Sequence, residues 1–313
     1  MRISVVIPCY NAGSWIGDAL RSVAGQKYQP DEVIVVDDGS TDNSVEWIKS
    51  CGVPLRLLHT TRANGAGARN AGIKAAKGDW IAFLDADDVW YPNHLERIVE
   101  LVSGTGDIAF INHYDSMCGG ADRSRDSVPY PWPLKVPTTG LTHGAFIEYF
   151  SRCQWFAGMS GMAVNAGVLR EVSGFDEAQI RRHDIELWLR VIRGRTWSYD
   201  TVVSSAYRVD TAGSISRKIA SREYYFLKAM LKNQDGYRGT SMGRLMRVLS
   251  RRAMSGALTD GDAADRQRAI GAAWLYLRGV NKIIFSVARV FPWMFRWLNR
   301  VRRAVVLRKV DPS

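Results

Sequence analysis

The first half of the chain alternates short apolar runs, rich in β-branched residues, with longer stretches in which apolar and polar residues follow a helical period. This alternation is typical of a largely parallel sheet covered by helices, so it predicts an α/β fold. The predicted strands cover residues 3–8, 32–37, 55–59, 79–84 and 107–112. The predicted helices cover residues 14–24, 42–50, 66–76 and 92–103. In open sheets of this kind, ligands gather at the carboxyl ends of the strands.

The pattern changes at about residue 214, where strand signals give way to helical ones interrupted by glycine and proline. Charge changes at the same point. Residues 1–213 carry 21 basic and 25 acidic side chains, whereas residues 214–313 carry 21 basic and 6 acidic ones. We therefore predict an α/β domain over residues 1–213 and a basic, helical C-terminal region over residues 214–313. Residues 113–140, rich in Gly, Pro, Ser and Asp, are predicted to form a long surface loop.

Three carboxylates follow the fourth predicted strand, where Phe83-Leu84 leads into Asp85, Asp87 and Asp88. Clustered oxygens at a strand end suit a hard cation such as Mg²⁺ or Mn²⁺, which completes its coordination with water and phosphate oxygens. That chemistry indicates a phosphate-bearing substrate. Taken alone, such a cluster is more often a solvated turn that caps the next helix, and the neighbouring motifs shift the balance toward a metal site.

Polar groups suited to a nucleotide follow the first two predicted strands. Tyr10, after the first, can stack on a nucleobase, and Asp38, after the second, can accept a hydrogen bond from a base imide. Residues 63–72 form a small-residue loop that enters a helix, where Arg69 can neutralise anionic charge. Each signal is weak by itself, but their order at successive strand ends indicates a nucleotide-binding site.

With these segments the chain resembles the family 2 glycosyltransferases, enzymes of the GT-A fold that transfer sugars from nucleotide-sugar donors. The resemblance covers roughly residues 1–213 and rests on six motifs. The motifs are Ser4-Val5-Val6-Ile7-Pro8-Cys9-Tyr10-Asn11, Val35-Val36-Asp37-Asp38-Gly39-Ser40-Thr41-Asp42, Arg69-Asn70-Ala71-Gly72, Phe83-Leu84-Asp85-Ala86-Asp87-Asp88, Gly174-Phe175-Asp176-Glu177 and Asp184-Ile185-Glu186-Leu187-Trp188-Leu189-Arg190. It implies an inverting, metal-dependent transfer of a sugar to a hydroxyl group of a saccharide acceptor.

The resemblance also implies roles for individual residues. The implied nucleotide-sugar contacts come from Pro8, Tyr10, Asn11, Asp38, Arg69, Asp85, Ala86 and Asp87. A divalent cation, Mg²⁺ or Mn²⁺, is expected at Asp87 and Asp88. Arg208 and Arg217 resemble basic residues that close over the diphosphate in this family. A UDP-sugar is the expected donor, with GDP- and dTDP-sugars as alternatives.

The family's catalytic base is the aspartate of a Glu-Asp pair, which here reads His183-Asp184. A carboxylate at Asp184 can accept the proton of an acceptor hydroxyl as its oxygen attacks the anomeric carbon. His183 and Trp188 are candidates for contact with the acceptor. Two alternatives stay open: Asp184 as an ordinary helix cap, and Trp188 as a core residue.

The last thirty residues predict a basic amphipathic helix, kinked or divided at Pro292. One face carries Ile283, Val287, Val290, Met294, Leu298, Val301 and Val305, and arginines lie opposite. Aromatic residues are interleaved, so the segment is expected to lie on an anionic membrane surface, with packing on the catalytic domain as the alternative. A polyprenyl-diphosphate-linked saccharide acceptor in bacterial surface polysaccharide synthesis is the corresponding expectation. Nucleic acid is not an expected partner, because no recognition motif accompanies the charge.

Cysteine spacing and the N-terminus bear on location. The four cysteines, Cys9, Cys51, Cys118 and Cys153, show neither paired nor metal-ligand spacing, which indicates free thiols in a reducing compartment. Met1 leads directly into a strand without a signal peptide, and no apolar run reaches the length of a spanning helix. We therefore expect a cytoplasmic protein that is peripheral on the inner face of the cytoplasmic membrane.

Two other functions compete with the transferase. A nucleotidyltransferase also uses a metal and strand-end carboxylates, but it would be expected to carry a Gly-rich basic signature after the first strand, which Pro8 to Gly13 does not supply. A non-catalytic nucleotide-sugar-binding module is favoured if His183 marks a decayed active site. The presence of Asp85, Asp87, Asp88 and Asp184 argues against that second alternative.

Overall fold

The computed structural model of the protein describes residues 1–61, 63–111, 116–118, 121–122, 138–146, 158–200, 202–208 and 222–233. The chain divides into two compact units, Met1–Ala212 and Gly213–Ser313. Within the described part of the second unit, a helix covers Arg222–Lys232. This helix agrees with the helical pattern predicted after residue 214. The predicted amphipathic segment from Ile283 to Val305 lies outside the described residues.

The first unit is built on strands β1 (Ile3–Cys9), β2 (Glu32–Asp37), β3 (Arg56–His59), β4 (Trp80–Phe83), β5 (Val89–Trp90), β6 (Ile108–Ile111), β7 (Ser116–Cys118), β8 (Ala121–Asp122), β9 (Thr138–Leu141), β10 (Met162–Asn165), β11 (Trp197–Asp200) and β12 (Ser205–Arg208). Eight of these form one sheet in the order β3-β2-β1-β4-β10-β6-β11-β9. Six of the eight run parallel to one another, and β9 and β10 run the other way. Strands β5, β12, β7 and β8 form a smaller second sheet.

Helices flank the large sheet: α1 (Ile16–Ala24), α2 (Ser44–Ser50), α3 (Asn64–Ala75), α4 (His94–Thr105), α5 (Ala166–Glu171) and α6 (His183–Val191). Successive side chains of a strand point to opposite faces, and both faces of β2 are buried. Val33 and Val35 join the core cluster that contains residues of α1 and α4, while Ile34 and Val36 pack with Ala68 of α3. Burial on both faces explains why these strands read as continuous apolar runs.

The α/β prediction is confirmed, and the five predicted strands and four predicted helices are all present with small shifts at their ends. The loop predicted over residues 113–140 needs correction, because β7, β8 and the first residues of β9 fall inside it. Strand β7 pairs with β12, from Tyr207 and Arg208, so its order depends on a partner far away in sequence. No helix among the described residues is long and apolar enough to cross a membrane.

Candidate active site

The carboxyl ends of β2, β1 and β4 form one edge of the sheet, because these strands are neighbours and parallel. Cys9 is in register with Asp37, and Val6 with Phe83. The segments that follow the three strands therefore emerge side by side. The structure thus brings together the strand-end residues that the sequence singled out.

The predicted nucleobase contacts lie at the ends of β1 and β2. Asp38 is buried, and its Oδ1 accepts hydrogen bonds from Thr60 Oγ1 at 2.8 Å and from the Ala63 amide at 2.7 Å. Its Oδ2 makes no hydrogen bond to a described residue. Tyr10 is 45% exposed, and Pro8 before it is half-buried. Asp38 therefore has one oxygen fixed by Thr60 and Ala63 and one that no described residue engages, beside an exposed aromatic ring.

Asn11 has a structural task in this region. It adopts a positive φ of 48°, a conformation that asparagine tolerates better than most residues. Its Oδ1 accepts a hydrogen bond from the Thr41 amide at 2.8 Å, and its own amide donates to Ser40 Oγ at 2.9 Å. The side-chain oxygen of Asn11 thus joins the loops after β1 and β2, so its predicted contact with the nucleotide-sugar stays a prediction.

The three carboxylates after β4 differ sharply in their surroundings. Asp85 forms an ion pair with Arg69. Asp88 is 3% exposed; its Oδ2 accepts from Ser160 Oγ at 2.5 Å and its Oδ1 from the Arg208 amide at 3.3 Å. Asp87 is half-buried, and no described side chain donates to its carboxylate. Ala86, between Asp85 and Asp87, is buried in the core, and its predicted contact with the nucleotide-sugar stays a prediction.

Burial raises the pKa of Asp87 to about 6, and the negative charge of Asp85 adds to the effect. Burial, reinforced by Asp87 and then Asp85, holds the pKa of Asp88 well above its ordinary value. Asp87 therefore carries a negative charge that the protein solvates poorly. A carboxylate in this state gains from a bound cation more than an ordinary surface aspartate does.

These contacts decide how a divalent cation fits. Asp87 offers an open carboxylate, and one or two carboxylates are enough for Mg²⁺ when phosphate oxygens and water complete its shell. The prediction of Asp88 as a second ligand stays a prediction; its oxygens accept one hydrogen bond each, from Ser160 and Arg208, and each keeps a further lone pair. No group of three or more potential ligand side chains occurs among the residues with described positions.

Helix α3 carries Arg69, whose guanidinium links several parts of the site. Arg69 is 5% exposed and lies 5.7 Å from the ring centre of Phe175. Besides its ion pair with Asp85, its Nη1 donates to the Gly65 carbonyl at 2.8 Å and lies 2.9 Å from His183 Nε2. One side chain therefore connects the acidic loop after β4 to the first residue of α6.

The next residues of the same motif have separate tasks. Asn70 Oδ1 accepts from the Phe175 amide at 2.7 Å, and Asn70 Nδ2 donates to the Phe175 carbonyl at 3.0 Å and to Glu177 Oε1 at 2.9 Å. A Cβ added at Gly72 would come within 2.4 Å of Val6 Cγ1, so only glycine lets α3 lie this close to β1. In the Arg-Asn-Ala-Gly motif, Arg69 thus pairs with a carboxylate, Asn70 clamps the loop that contains Phe175, and Gly72 lets α3 pack closely on β1.

The predicted base, Asp184, is the second residue of α6. Arg182, directly before the helix, has a left-handed backbone with φ 57°. Asp184 is half-buried and makes no hydrogen bond to a described residue, so it is not the side-chain cap that the alternative required. The first turn of a helix favours negative charge, which suits an ionised carboxylate there. Burial, together with the positive charge of Arg69, lowers the pKa of His183 to about 4.

Trp188 occupies the protein core, which corrects its proposed contact with the acceptor. It is fully buried, its Nε1 donates to Met162 Sδ at 3.1 Å, and its ring meets that of Phe110 edge to face at 5.3 Å. The alternative reading from the sequence, core packing, is the one that the structure bears out.

Arg208 also differs from the expectation of a residue that closes over the diphosphate. It is 3% exposed, with Nη2 3.1 Å from Asp18 Oδ2, Nε 3.2 Å from the Asp87 carbonyl and the guanidinium 4.4 Å from the Trp15 ring centre. These contacts make Arg208 a support of the acidic loop. Arg217 lies outside the described residues.

Sequence reasoning missed Ser160. Its hydroxyl accepts from the Asp85 amide at 3.1 Å and donates to Asp88 at 2.5 Å, which fixes the turn that presents Asp87. Ser160 stands in an uncharged stretch without any motif, so the sequence offers no signal for this role.

The site is thus one edge of a mostly parallel sheet, where carboxylates and an arginine meet at the strand ends and a further carboxylate lies on α6. The chain belongs to the family described as "Glycosyl transferase family 2", whose sequence profile matches residues 4–167. An uncharacterized glycosyltransferase of Nostoc sp. is 35% identical over 185 residues, covering 58% of this chain and 56% of the relative. The amylovoran biosynthesis glycosyltransferase AmsB of Erwinia amylovora is 37% identical over 199 residues, covering 61% of this chain and 64% of the relative. The chain thus matches less than two thirds of the length of these relatives.

Solved structures share the fold at low sequence identity. TarS of S. aureus in complex with UDP-GlcNAc aligns with a TM-score of 0.67 at 18% identity, covering 95% of this chain and 89% of that one. The mannosyltransferase PcManGT of Pyrobaculum calidifontis, in complex with GDP-Man and Mn²⁺, aligns with a TM-score of 0.57 at 17% identity, covering 99% and 86%. The prediction of a GT-A fold is confirmed by these likenesses.

Proposed function

We propose that the protein transfers a sugar, with inversion, from a nucleoside diphosphate donor to a hydroxyl of a saccharide acceptor. Family membership supports the reaction class, and the TarS complex with UDP-GlcNAc supports a UDP-sugar as the donor. The observation that carries the proposal is the position of Arg69, which contacts both Asp85 and His183, the neighbour of Asp184. The candidate donor site and the candidate base are thus parts of one network.

The proposed donor site divides by chemistry. Asp38 offers its open oxygen to the base imide, and Tyr10 offers an exposed face on which the base stacks. Arg69 supplies positive charge beside the diphosphate. Asp87 is the residue that would hold Mg²⁺ or Mn²⁺, an ion that offsets charge on the departing diphosphate when bound. The Mn²⁺ in the PcManGT complex supports a divalent cation as part of this proposal.

On the acceptor side, Asp184 is proposed as the general base. It accepts the proton of the acceptor hydroxyl while that oxygen forms a bond to the anomeric carbon and the bond to the diphosphate breaks on the opposite face. The half-buried carboxylate, unengaged by described residues, is ready for this contact. Orientation of the two substrates by the surrounding loops supplies a further part of the rate.

Release of nucleoside diphosphate tests the proposal. UDP-, GDP- and dTDP-sugars are supplied with saccharide acceptors, in Mg²⁺, in Mn²⁺ and in EDTA, to wild type, Asp87→Asn and Asp184→Asn. We expect turnover of one donor that is lost in EDTA and in both variants. Turnover that persists in EDTA would contradict metal dependence. Donor binding without turnover would favour the alternative function, a non-catalytic nucleotide-sugar-binding module, which is suggested by histidine at position 183 where the family has glutamate.

The lipid-linked acceptor and membrane surface are separate parts of the proposal. They are supported by the basic, aromatic C-terminal sequence. The name of AmsB places that relative in the biosynthesis of amylovoran, which supports a role in polysaccharide synthesis. Sedimentation with liposomes containing anionic lipid should pellet the full chain in low salt and less in high salt. Equal binding by a chain without residues 240–313 would contradict this assignment to the C-terminal region.

A further inference from the structure

The contact between Arg69 and His183 fixes the chemical state of the histidine. An arginine guanidinium has only donors, so His183 Nε2, at 2.9 Å from Arg69 Nη1, must be the acceptor. The imidazole is therefore neutral, with its proton on Nδ1. A charged imidazolium would place an N–H donor and a second positive charge against the guanidinium.

The site keeps this arrangement at a cost. His183 Nδ1 and Arg69 Nε are both buried without a hydrogen-bond partner among the described residues. Unpaired buried donors are rare because each loses its hydrogen bonds to water. The ring also packs edge to face on Phe175 at 5.7 Å, so its orientation is fixed from a second direction. The orientation of the ring thus gives Nε2 a hydrogen-bond partner, Arg69, while Nδ1 has none among the described residues.

Besides His183, the guanidinium of Arg69 contacts the Gly65 carbonyl, Asp85 and the Phe175 ring. Its hydrogen bond to the Gly65 carbonyl lies within α3, and its ion pair with Asp85 reaches the acidic loop. His183 holds the same nitrogen that bonds to Gly65, and it does so from the first residue of α6. The guanidinium is therefore held between α3 and α6 while its other end meets Asp85.

We propose that His183 is a positioning residue that, as a neutral hydrogen-bond acceptor, aims Arg69 at Asp85 and ties the start of the helix carrying Asp184 to the donor site. This inference rests on the proposed function for its effect on catalysis. His183 is not proposed as an acid or base, because its Nε2 is engaged by Arg69 and its Nδ1 is shielded from solvent. Its predicted contact with the acceptor stays a prediction.

The tautomer can be tested without any activity. A long-range ¹H–¹⁵N spectrum of the imidazoles, recorded at pH 7, should show one ring protonated only on Nδ1 that is absent from the His183→Gln protein. The chain has five histidines, so assignment by this difference is practical. Arg69→Lys should shift the Nε2 resonance of that ring. An imidazolium, or a ring protonated on Nε2, would overturn the inference.

Matched substitutions test the consequence. The amide oxygen of Gln lies about as far from Cα as Nε2 does, whereas that of Asn lies near the position of Nδ1 and falls short of Arg69. We expect His183→Gln to stay within about threefold of wild type in kcat/KM, and His183→Asn to lose roughly ten- to a hundredfold, as for a lost hydrogen bond to a charged group. Most of the loss should fall in KM for the donor, because Arg69 and Asp85 serve the donor site.

The two variants lose the same ring packing on Phe175, so a purely structural role would affect them alike. Equal kcat/KM for Gln and Asn would therefore overturn the inference. If wild type turns over no donor, the proposed function fails, and donor affinity measured by calorimetry replaces KM in the comparison. In that case, an NMR spectrum that shows the His183 ring protonated on Nδ1 would still establish the contact between Arg69 and His183.

Discussion

The carboxylate of Asp87 should help the protein to bind a cation and, without a cation, should lower the stability of the fold. Its carboxylate is half-buried, lies beside Asp85 and Asp88, and accepts from no described side chain. Replacing Asp87 by Asn removes this charge while keeping the shape of the side chain. We expect Asp87→Asn to abolish transfer and yet to stabilise the protein at pH 8 in EDTA, where no cation offsets the charge.

The expected gain follows from the pKa. A rise from the ordinary value of 3.8 to about 6 corresponds to at most about 3 kcal/mol, and partial exposure reduces this to about 1–2 kcal/mol. Because the folded protein binds the proton more tightly, ionisation of Asp87 lowers stability as pH rises from about 4 to about 6. The variant should therefore match wild type near pH 4 and gain its full advantage above pH 6.

Urea unfolding followed by tryptophan fluorescence measures this difference, because urea does not screen charge. The matched control is Asp85→Asn, two residues earlier in the same loop. Asp85 is the ion-pair partner of the buried Arg69, so its removal should destabilise the protein by about 2 kcal/mol. Opposite signs for the two variants are the expected result. If Asp87→Asn unfolds at lower urea than wild type at pH 8, or if its difference from wild type is the same at pH 4, the reasoning about Asp87 is wrong.

Three further substitutions test the supports of the site. Trp188→Leu should cost about 2–4 kcal/mol of stability and leave KM for the acceptor unchanged, whereas a raised KM at unchanged stability would restore its predicted acceptor contact. Asn70→Asp cannot donate to the Phe175 carbonyl, so amide hydrogen exchange should rise across residues 174–179 and not in β1; unchanged exchange there would contradict the clamp. Gly72→Ala should cost about 1–3 kcal/mol by steric overlap with Val6, and adding Val6→Ala should recover part of the loss; a double variant no better than the single one would refute the contact.

The parts of the fold that were predictable are those whose signals are local. Strands β1, β2 and β4 are continuous apolar runs because both faces are buried, and their ends place Tyr10, Asp38 and Asp85 at one edge. Strands β7 and β12 were not predictable, since each is ordered by pairing with residues about ninety positions away. The same limit applies to Asp88, whose burial depends on Ser160 and Arg208. A cluster of aspartates in the sequence shows that their carboxylates lie near one another. Partners that are distant in sequence decide which of these carboxylates is left without a hydrogen bond from a described side chain.

The motif that begins at Asp184 contains both core residues and site residues within one helix. Ile185, Leu187, Trp188 and Leu189 are fully buried, so the helix is a core element on most of its surface. Glu186 is buried too, with both oxygens paired to Arg190 at 2.8 and 2.6 Å, and Arg190 also donates to the Val172 carbonyl. The later residues of the motif therefore hold the helix in place. Only its first two positions, His183 and Asp184, remain for the site, and the contact of His183 with Arg69 is what aligns that short end with the donor side.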